Sequence, residues 1–212
     1  MFLGLTIFPE FGVYIVWWIW AFSWIAASFW ADKAVKRPAA ASQILYRAMT
    51  LTGFVLMFGF LAVHPNGHGY AMRGFEVPGP AVLNTRLWTV PDSVGWAMVA
   101  LAAAGFGFAW WARIHLGRLW SGFVTRKEGH RVVDTGPYRL VRHPIYTGID
   151  TAALALLVVK ATPITLAGFV LIVWGYWIKA RIEERFLREE LGPADYDAYK
   201  ARTPMLVPFS PI

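Results

Sequence analysis

Residues 11–29, about 49–63 and about 94–112 form apolar runs that approach or reach the roughly 20 residues an α-helix needs to cross a bilayer. Two shorter runs, 147–159 and 164–178, are separated by a tight break at Thr162-Pro163 and read as the two arms of a helical hairpin. Of the 212 residues, 57% are hydrophobic and only 16% charged, and the mean hydropathy is +0.46, values wrong for a soluble domain of this length. The expected fold class is therefore all-α, a polytopic membrane protein with about five transmembrane helices. The first run lacks a basic leading segment, and Ala26, Ala27 and Ala31 offer only a weak small-residue cleavage site, so it reads as a retained helix.

Charge placement sets the expected orientation. Lys33, Lys36, Arg37 and Arg47 lie between runs one and two, Arg113, Arg118, Arg126, Lys127, Arg131, Arg139 and Arg142 follow run three, and Lys179, Arg181, Arg185, Arg188, Lys200 and Arg202 follow run five. All of these fall on one side of a five-crossing chain, and only Arg73, Arg86 and Lys160 fall on the other. Cytoplasmic loops carry the basic excess, so the N-terminus is expected outside and the C-terminus in the cytoplasm, which for a bacterium means the inner membrane. The net charge of +7 needs no nucleic acid, because anionic membrane lipid attracts such juxtamembrane clusters. The absence of cysteine excludes disulfides, thiolate zinc sites and a cysteine nucleophile. His64-Pro65-Asn66-Gly67-His68-Gly69 has two histidines without a third ligand nearby and reads as a polar turn, so no metal is expected.

The chain divides by chemistry. Residues 1–112 read as a three-helix transmembrane scaffold; residues 113–212 hold a polar loop, the hairpin and a tail with most of the ionisable groups. The densest stretch is Gly136-Pro137-Tyr138-Arg139-Leu140-Val141-Arg142-His143-Pro144-Ile145-Tyr146-Thr147-Gly148, which packs Arg, His and two Tyr into a turn leading straight into an apolar helix. Pro144 disfavours helix at His143 and holds it in extended or turn backbone, so polar groups are gathered at a membrane surface.

From about His115 to the end, the chain resembles the isoprenylcysteine carboxyl methyltransferases and their phospholipid-methylating relatives, which are membrane-embedded and use S-adenosylmethionine. The likeness rests on His115-Leu116-Gly117 with Trp120-Ser121, His130-Arg131-Val132-Val133, Gly136-Pro137-Tyr138, Arg142 to Gly148, Glu183-Glu184, and Tyr196-Asp197-Ala198-Tyr199-Lys200 before Pro204, in that order. The resemblance implies a cytoplasmic C-terminal cofactor-binding region in residues 113–212, with His130, Arg131, Val132, Val133, Tyr138, His143, Pro144, Ile145, Tyr146 and Glu183 on the cofactor. It also implies catalytic roles for Arg142 and Glu183, and acceptor binding at Lys179 and Arg181.

These residue types suit that cofactor. Arg142 offers a two-pronged grip on a carboxylate, Glu183 a partner for an ammonium or sulfonium, and Tyr138 and Tyr146 aromatic faces for a cation or an adenine. Structural readings stand beside each. The arginines suit membrane anchoring and the tyrosines an interfacial belt; Glu183 and Glu184 suit i,i+4 pairs with Lys179 and Arg188, a role favoured for Glu184 but not Glu183. Tyr196 and Tyr199 suit packing of the tail against the loop, and His115 suits either a site or a structural role. Where the family often has arginine four residues before the key glutamate, this chain has Lys179, which keeps the charge without the planar fork.

The function expected from the resemblance is O-methylation of a prenylcysteine-like carboxylate, the acceptor coming from the bilayer as a small lipophile or a lipid-anchored partner. The alternatives are N- or S-methylation of a phospholipid amine or small amphiphile, a sterol-reductase-like enzyme using reduced nicotinamide dinucleotide phosphate, and a non-catalytic lipid-binding protein. Oligomeric state is left open: Gly168 and Gly175 suit contact with a neighbouring chain or packing within one.

Overall fold

The computed structural model describes residues 8–29, 38–66, 69–76, 80–122 and 132–210. Five long helices, α1 (Pro9–Ser28), α2 (Ala40–Phe58), α3 (Asp92–Leu116), α4 (Pro144–Lys160) and α5 (Pro163–Leu191), carry the fold, and a short α6 (Pro193–Lys200) follows. An antiparallel hairpin, β1 (Phe60–Asn66) with β2 (Gly69–Glu76), joins α2 to the segment before α3. This hairpin corrects two expectations. The second apolar run ends as helix at Phe58, not Val63, because Gly59 adopts φ 61° and the chain leaves as a strand; and His64-Pro65-Asn66 is ladder rather than turn, while positions 67–68 lie outside the described residues.

Local chemistry explains the helix ends. Pro9, Pro144, Pro163 and Pro193 stand at first-turn positions, where a missing N–H costs nothing. Gly117 and Gly192 leave their helices with φ 57° and 104°. Between α4 and α5 the expected break is two residues: Ala161 sits in the left-handed region at φ 52°, and the Thr162 hydroxyl accepts from the Thr165 N–H at 3.3 Å. The fifth helix does not stop at Ile178 as expected. Residues 179–191 are charged but contain no breaker before Gly192, so the helix continues through Glu183 and Glu184.

By length and composition, α1, α5 and the stretch Asp92–Leu119 containing α3 can cross a membrane. Against the five crossings expected, the described residues hold five long helices, of which three qualify as spans. Trp18, Ile19, Phe22 and Ile25 on α1, and Leu166, Val170 and Trp174 on α5, face outward, as lipid-exposed surfaces do.

Small residues set the helix contacts. A Cβ added at Gly105 of α3 would lie 2.6 Å from the Gly148 carbonyl of α4. One added at Gly168 or Gly175 of α5 would meet the Gly53 carbonyl (2.7 Å) or Thr50 (2.6 Å) of α2, so these two glycines pack within the chain. The contact pairs run antiparallel for α2 with α5 and for α3 with α4, while α1 runs parallel to α3, with Pro9 beside Gly95 and the Ala27 carbonyl accepting from Arg113 at 2.9 Å. One end of the bundle is closed by Arg86 with Glu10 and the Val159 carbonyl, and by Lys160 Nζ on the Met57 carbonyl at 2.9 Å. The other end gathers the start of α4, the charged part of α5 and the C-terminal tail.

Candidate active site

A cavity of about 540 Å³ opens at that second end. Its polar wall is built from the turn that the sequence singled out. Gly136–Arg139 form one 3₁₀ turn capped by the extended Thr135, made possible by Gly136 at φ 58°, where any Cβ would press within 2.8 Å of the His115 ring. His115 bonds Thr135 Oγ1 at 2.9 Å and stacks near Tyr138, so it shapes the turn from outside the cavity. The tail then straps the next residues: the Arg142 and His143 N–H groups donate to the Pro204 and Met205 carbonyls at 2.8 and 3.1 Å, and Thr147 Oγ1 donates to the Leu206 carbonyl.

The two glutamates separate into different tasks. Glu184 is buried, and its Oε1 accepts from Arg142 Nε at 2.7 Å and lies 3.3 Å from His143 Nε2; Lys200 Nζ stands 3.7 Å from its other oxygen. The expected Glu184–Arg188 pairing is replaced, because Arg188 engages Asp197 of α6 at 2.7 and 2.8 Å. Glu183 lines the cavity; its Oε2 accepts from the Tyr146 hydroxyl at 2.6 Å and lies 3.5 Å from His143 Nδ1. His143 therefore bridges both carboxylates. Burial alone would lower its pKa, but the hydrogen bonds and charges of Glu183 and Glu184 outweigh it and the pKa is raised. Burial pushes the hydroxyls of Tyr138, Tyr196 and Tyr199 up, so all three stay neutral.

Arg142 does not stand as a free clamp. Besides Glu184 it donates through Nη1 to the carbonyls of Lys200 and Thr203, so the guanidinium ties turn, α5 and tail together at the cavity edge. Lys179 supplies the other cationic side chain of the lining: its Nζ donates to the Gly122 carbonyl at 2.9 Å and stands 5.0 and 5.7 Å from the Tyr146 and Tyr46 ring centres. Tyr146 stacks between His143 (5.3 Å, 6°) and Tyr176 (4.8 Å, 17°).

Of the expected cofactor residues, Val132, Val133, Tyr138, His143, Pro144, Ile145, Tyr146 and Glu183 all line the cavity, and His130 and Arg131 lie outside the described residues. Arg181 is not brought in. Two residues beyond Lys179 on a helix means a rotation of roughly 200°, and Arg181 is exposed against Trp177 at 5.2 Å. Tyr199 packs the tail as expected, its hydroxyl donating to the Tyr138 carbonyl at 2.7 Å, yet both tail tyrosines also face the cavity. Sequence reasoning missed the far wall: Trp17, Trp20 and Trp24 of α1 with Phe54 and Phe58 of α2, from the half read as scaffold. Their spacing was a usable signal, since residues at i, i+3 and i+7 share one helix face.

Comparison with known proteins places the same segment. Residues 97–189 match the isoprenylcysteine carboxyl methyltransferase (ICMT) family. The chain is 32% identical over 87 residues to protein-S-isoprenylcysteine O-methyltransferase B of Arabidopsis thaliana, covering 41% of this chain and 44% of that protein. It is 32% identical over 113 residues to a probable protein-S-isoprenylcysteine O-methyltransferase of Oryza sativa subsp. indica, covering 52% and 53%, and 33% identical over 87 residues to the Saccharomyces cerevisiae protein-S-isoprenylcysteine O-methyltransferase, covering 40% and 36%. The chain thus spans about half the length of these relatives or less. The stretch from α3 through the Arg142-His143-Pro144 turn to the paired glutamates of α5 is thus the part of this chain that is similar to the isoprenylcysteine carboxyl methyltransferase family.

Proposed function

We propose that this protein is an S-adenosylmethionine-dependent integral membrane methyltransferase that O-methylates a lipophilic carboxylate of the prenylcysteine type. The observation that carries the reading is the continuity of the cavity: a charged end with Glu183 and Lys179 runs without a partition into an aromatic end with Trp17, Trp20, Phe54 and Phe58. One end suits a polar, charged cofactor, the other an apolar tail.

The donor set fits the cofactor. S-adenosylmethionine, when bound, supplies a methyl group carried on a positively charged sulfur. Glu183, oriented by the Tyr146 hydroxyl and His143, offers negative charge to a cation in the cavity. Tyr138 offers a face for a flat ring, Tyr146 is held by its stack with His143 and Tyr176 to aim its hydroxyl at Glu183, and Val132 and Val133 offer an apolar edge. Arg142 acts as a positioning residue, holding the turn, α5 and the tail in register through Glu184 and the tail carbonyls. Lys179 presents a cation to the acceptor, which favours an anionic head over an amine. An ionised carboxylate is its own nucleophile and needs no general base, so the chain's work is alignment and exclusion of water.

In the membrane, the arrangement favours the N-terminus outside and the site at the cytoplasmic surface, with the basic residues flanking it. The test is calorimetric titration of the detergent-purified chain with S-adenosylmethionine and, separately, reduced nicotinamide dinucleotide phosphate. A labelled-methyl assay on an S-prenylated cysteine derivative follows. Binding of the first cofactor, weakened by Glu183→Ala, with ester formation is expected; binding of only the nicotinamide, or of neither, would overturn the proposal.

A further inference from the structure

The aromatic end of the cavity has a floor. Trp17 is 3% exposed, its indole N–H donates to the Ala152 carbonyl of α4 at 3.3 Å, and its ring meets Phe54, Phe58 and Phe106 edge-on at 5.8, 5.0 and 4.7 Å. One hydrogen bond and three ring contacts, from three other helices, fix it across the bundle. Beneath it Val13, Tyr14 and Met57 are fully packed, at 0–2% exposure, and none of them reaches the cavity.

The distance from head to floor follows from α2. Lys179 Nζ stands over Tyr46, and Trp17 touches Phe54 and Phe58, which lie eight and twelve residues further along the same helix. At 1.5 Å per residue that is about 12 to 18 Å. A carboxylate bound at Lys179 takes up about 3 Å of this as its own hydrogen bond. An extended chain advances about 1.2 Å per bond, so what remains holds about eight to twelve bonds; a thioether carboxylate bearing two isoprene units needs about eleven and fits, while one bearing three needs about fifteen and does not. The volume agrees: about 540 Å³ is the size of a site for a single drug-sized ligand, and here it must also admit the methyl donor.

We infer that Trp17 is a specificity-determining residue that stops the acceptor's apolar chain, and that the acceptor class is a short, unsaturated carboxylate of geranyl length rather than a farnesyl or longer one. This rests on the methyltransferase reading for the identity of the head group. The double bonds of such a chain suit a wall made of Trp and Phe faces.

The test separates the two claims by measuring binding apart from turnover. S-prenyl mercaptopropionates bearing one, two, three and four isoprene units are titrated into the full chain in nanodiscs, with methyl-ester formation assayed in parallel. Affinity should peak at two units and fall about tenfold or more at three, as expected where a bounded apolar pocket meets excess length. In Trp17→Leu the peak should move to three units while S-adenosylmethionine affinity stays as in the wild type. Trp17→Phe, the milder change, should broaden the profile without moving its short end. Equal wild-type affinity for two, three and four units would overturn the inference, and so would Trp17 variants that bind the cofactor normally yet weaken every length equally. A profile that peaks at two units with no ester formed would leave the floor standing and refute the methyltransferase reading.

Discussion

Glu184→Ala removes the carboxylate that, among the described residues, holds Arg142, a residue with a side-chain exposure of 6%, and leaves His143 and Lys200 facing the same gap. The magnitude follows from burial. Breaking a buried ion pair by deleting one partner costs about 3–5 kcal/mol, because the remaining charge is stranded away from water. In a chain of this size each kcal/mol lowers the melting temperature by about 2–4 °C, so a fall of roughly 10 °C is expected. The assay is thermal unfolding in detergent, read by the fluorescence of the 12 tryptophans. Asp197→Ala is the internal comparison. Its partner Arg188 is half exposed, and solvent screening should leave the melt within replicate scatter. Replacing both members, Arg142→Met with Glu184→Leu, should recover part of the loss, giving a coupling of about 2 kcal/mol in a double-mutant cycle. If Glu184→Ala and Asp197→Ala melted alike, the pair would not be the brace described and the argument from burial would fail.

Three further outcomes are expected. Glu183→Gln should weaken S-adenosylmethionine binding by about 10–100-fold, the value of one charge-assisted contact, and Tyr146→Phe by at most about tenfold, both read by calorimetry. Gly148→Val should destabilise the bundle by about 3 kcal/mol or more, since its side chain would meet the Gly105 carbonyl and Ala109 backbone, while Gly107→Ala, with open space around it, should be neutral or raise stability by up to about 1 kcal/mol; melting temperatures decide both. The raised pKa of His143 means that its folded form holds a proton more tightly than its unfolded form, so its stabilisation is complete below about pH 6.5 and is lost as pH rises through the raised value. Melting temperature measured upward from pH 6 should therefore decline, and His143→Gln should flatten that decline.

Much was legible in the sequence because it depends on local or compositional physics. Apolar runs, three near spanning length and two shorter, gave five helices at nearly the right places, and the Thr162-Pro163 break fell where an N-cap hydroxyl and a first-turn proline must stand. The turn from Gly136 to Tyr146 announced the site, since a proline that holds His143 out of the helix while Arg and Tyr flank it is a local arrangement. Where the reading went wrong, a local signal was outvoted: the i,i+4 spacing of Glu184 and Arg188 is genuine, but α6 brings Asp197 within reach of Arg188, and the turn brings Arg142 to Glu184.

Composition and the lengths of the apolar runs thus determined that this chain is helical and membrane-embedded, the local sequence marked one polar turn, and the resemblance to a methyltransferase family pointed to the glutamate pair. Only the tertiary structure decided which glutamate faces the cavity and which braces Arg142, that Arg181 turns away, and that α1 and α2 supply the aromatic wall. The reason is geometric. A helix shows in sequence which residues share a face, but which face meets which partner is set by glycine contacts between helices far apart in the chain, such as Gly105 with Gly148 and Gly53 with Gly168.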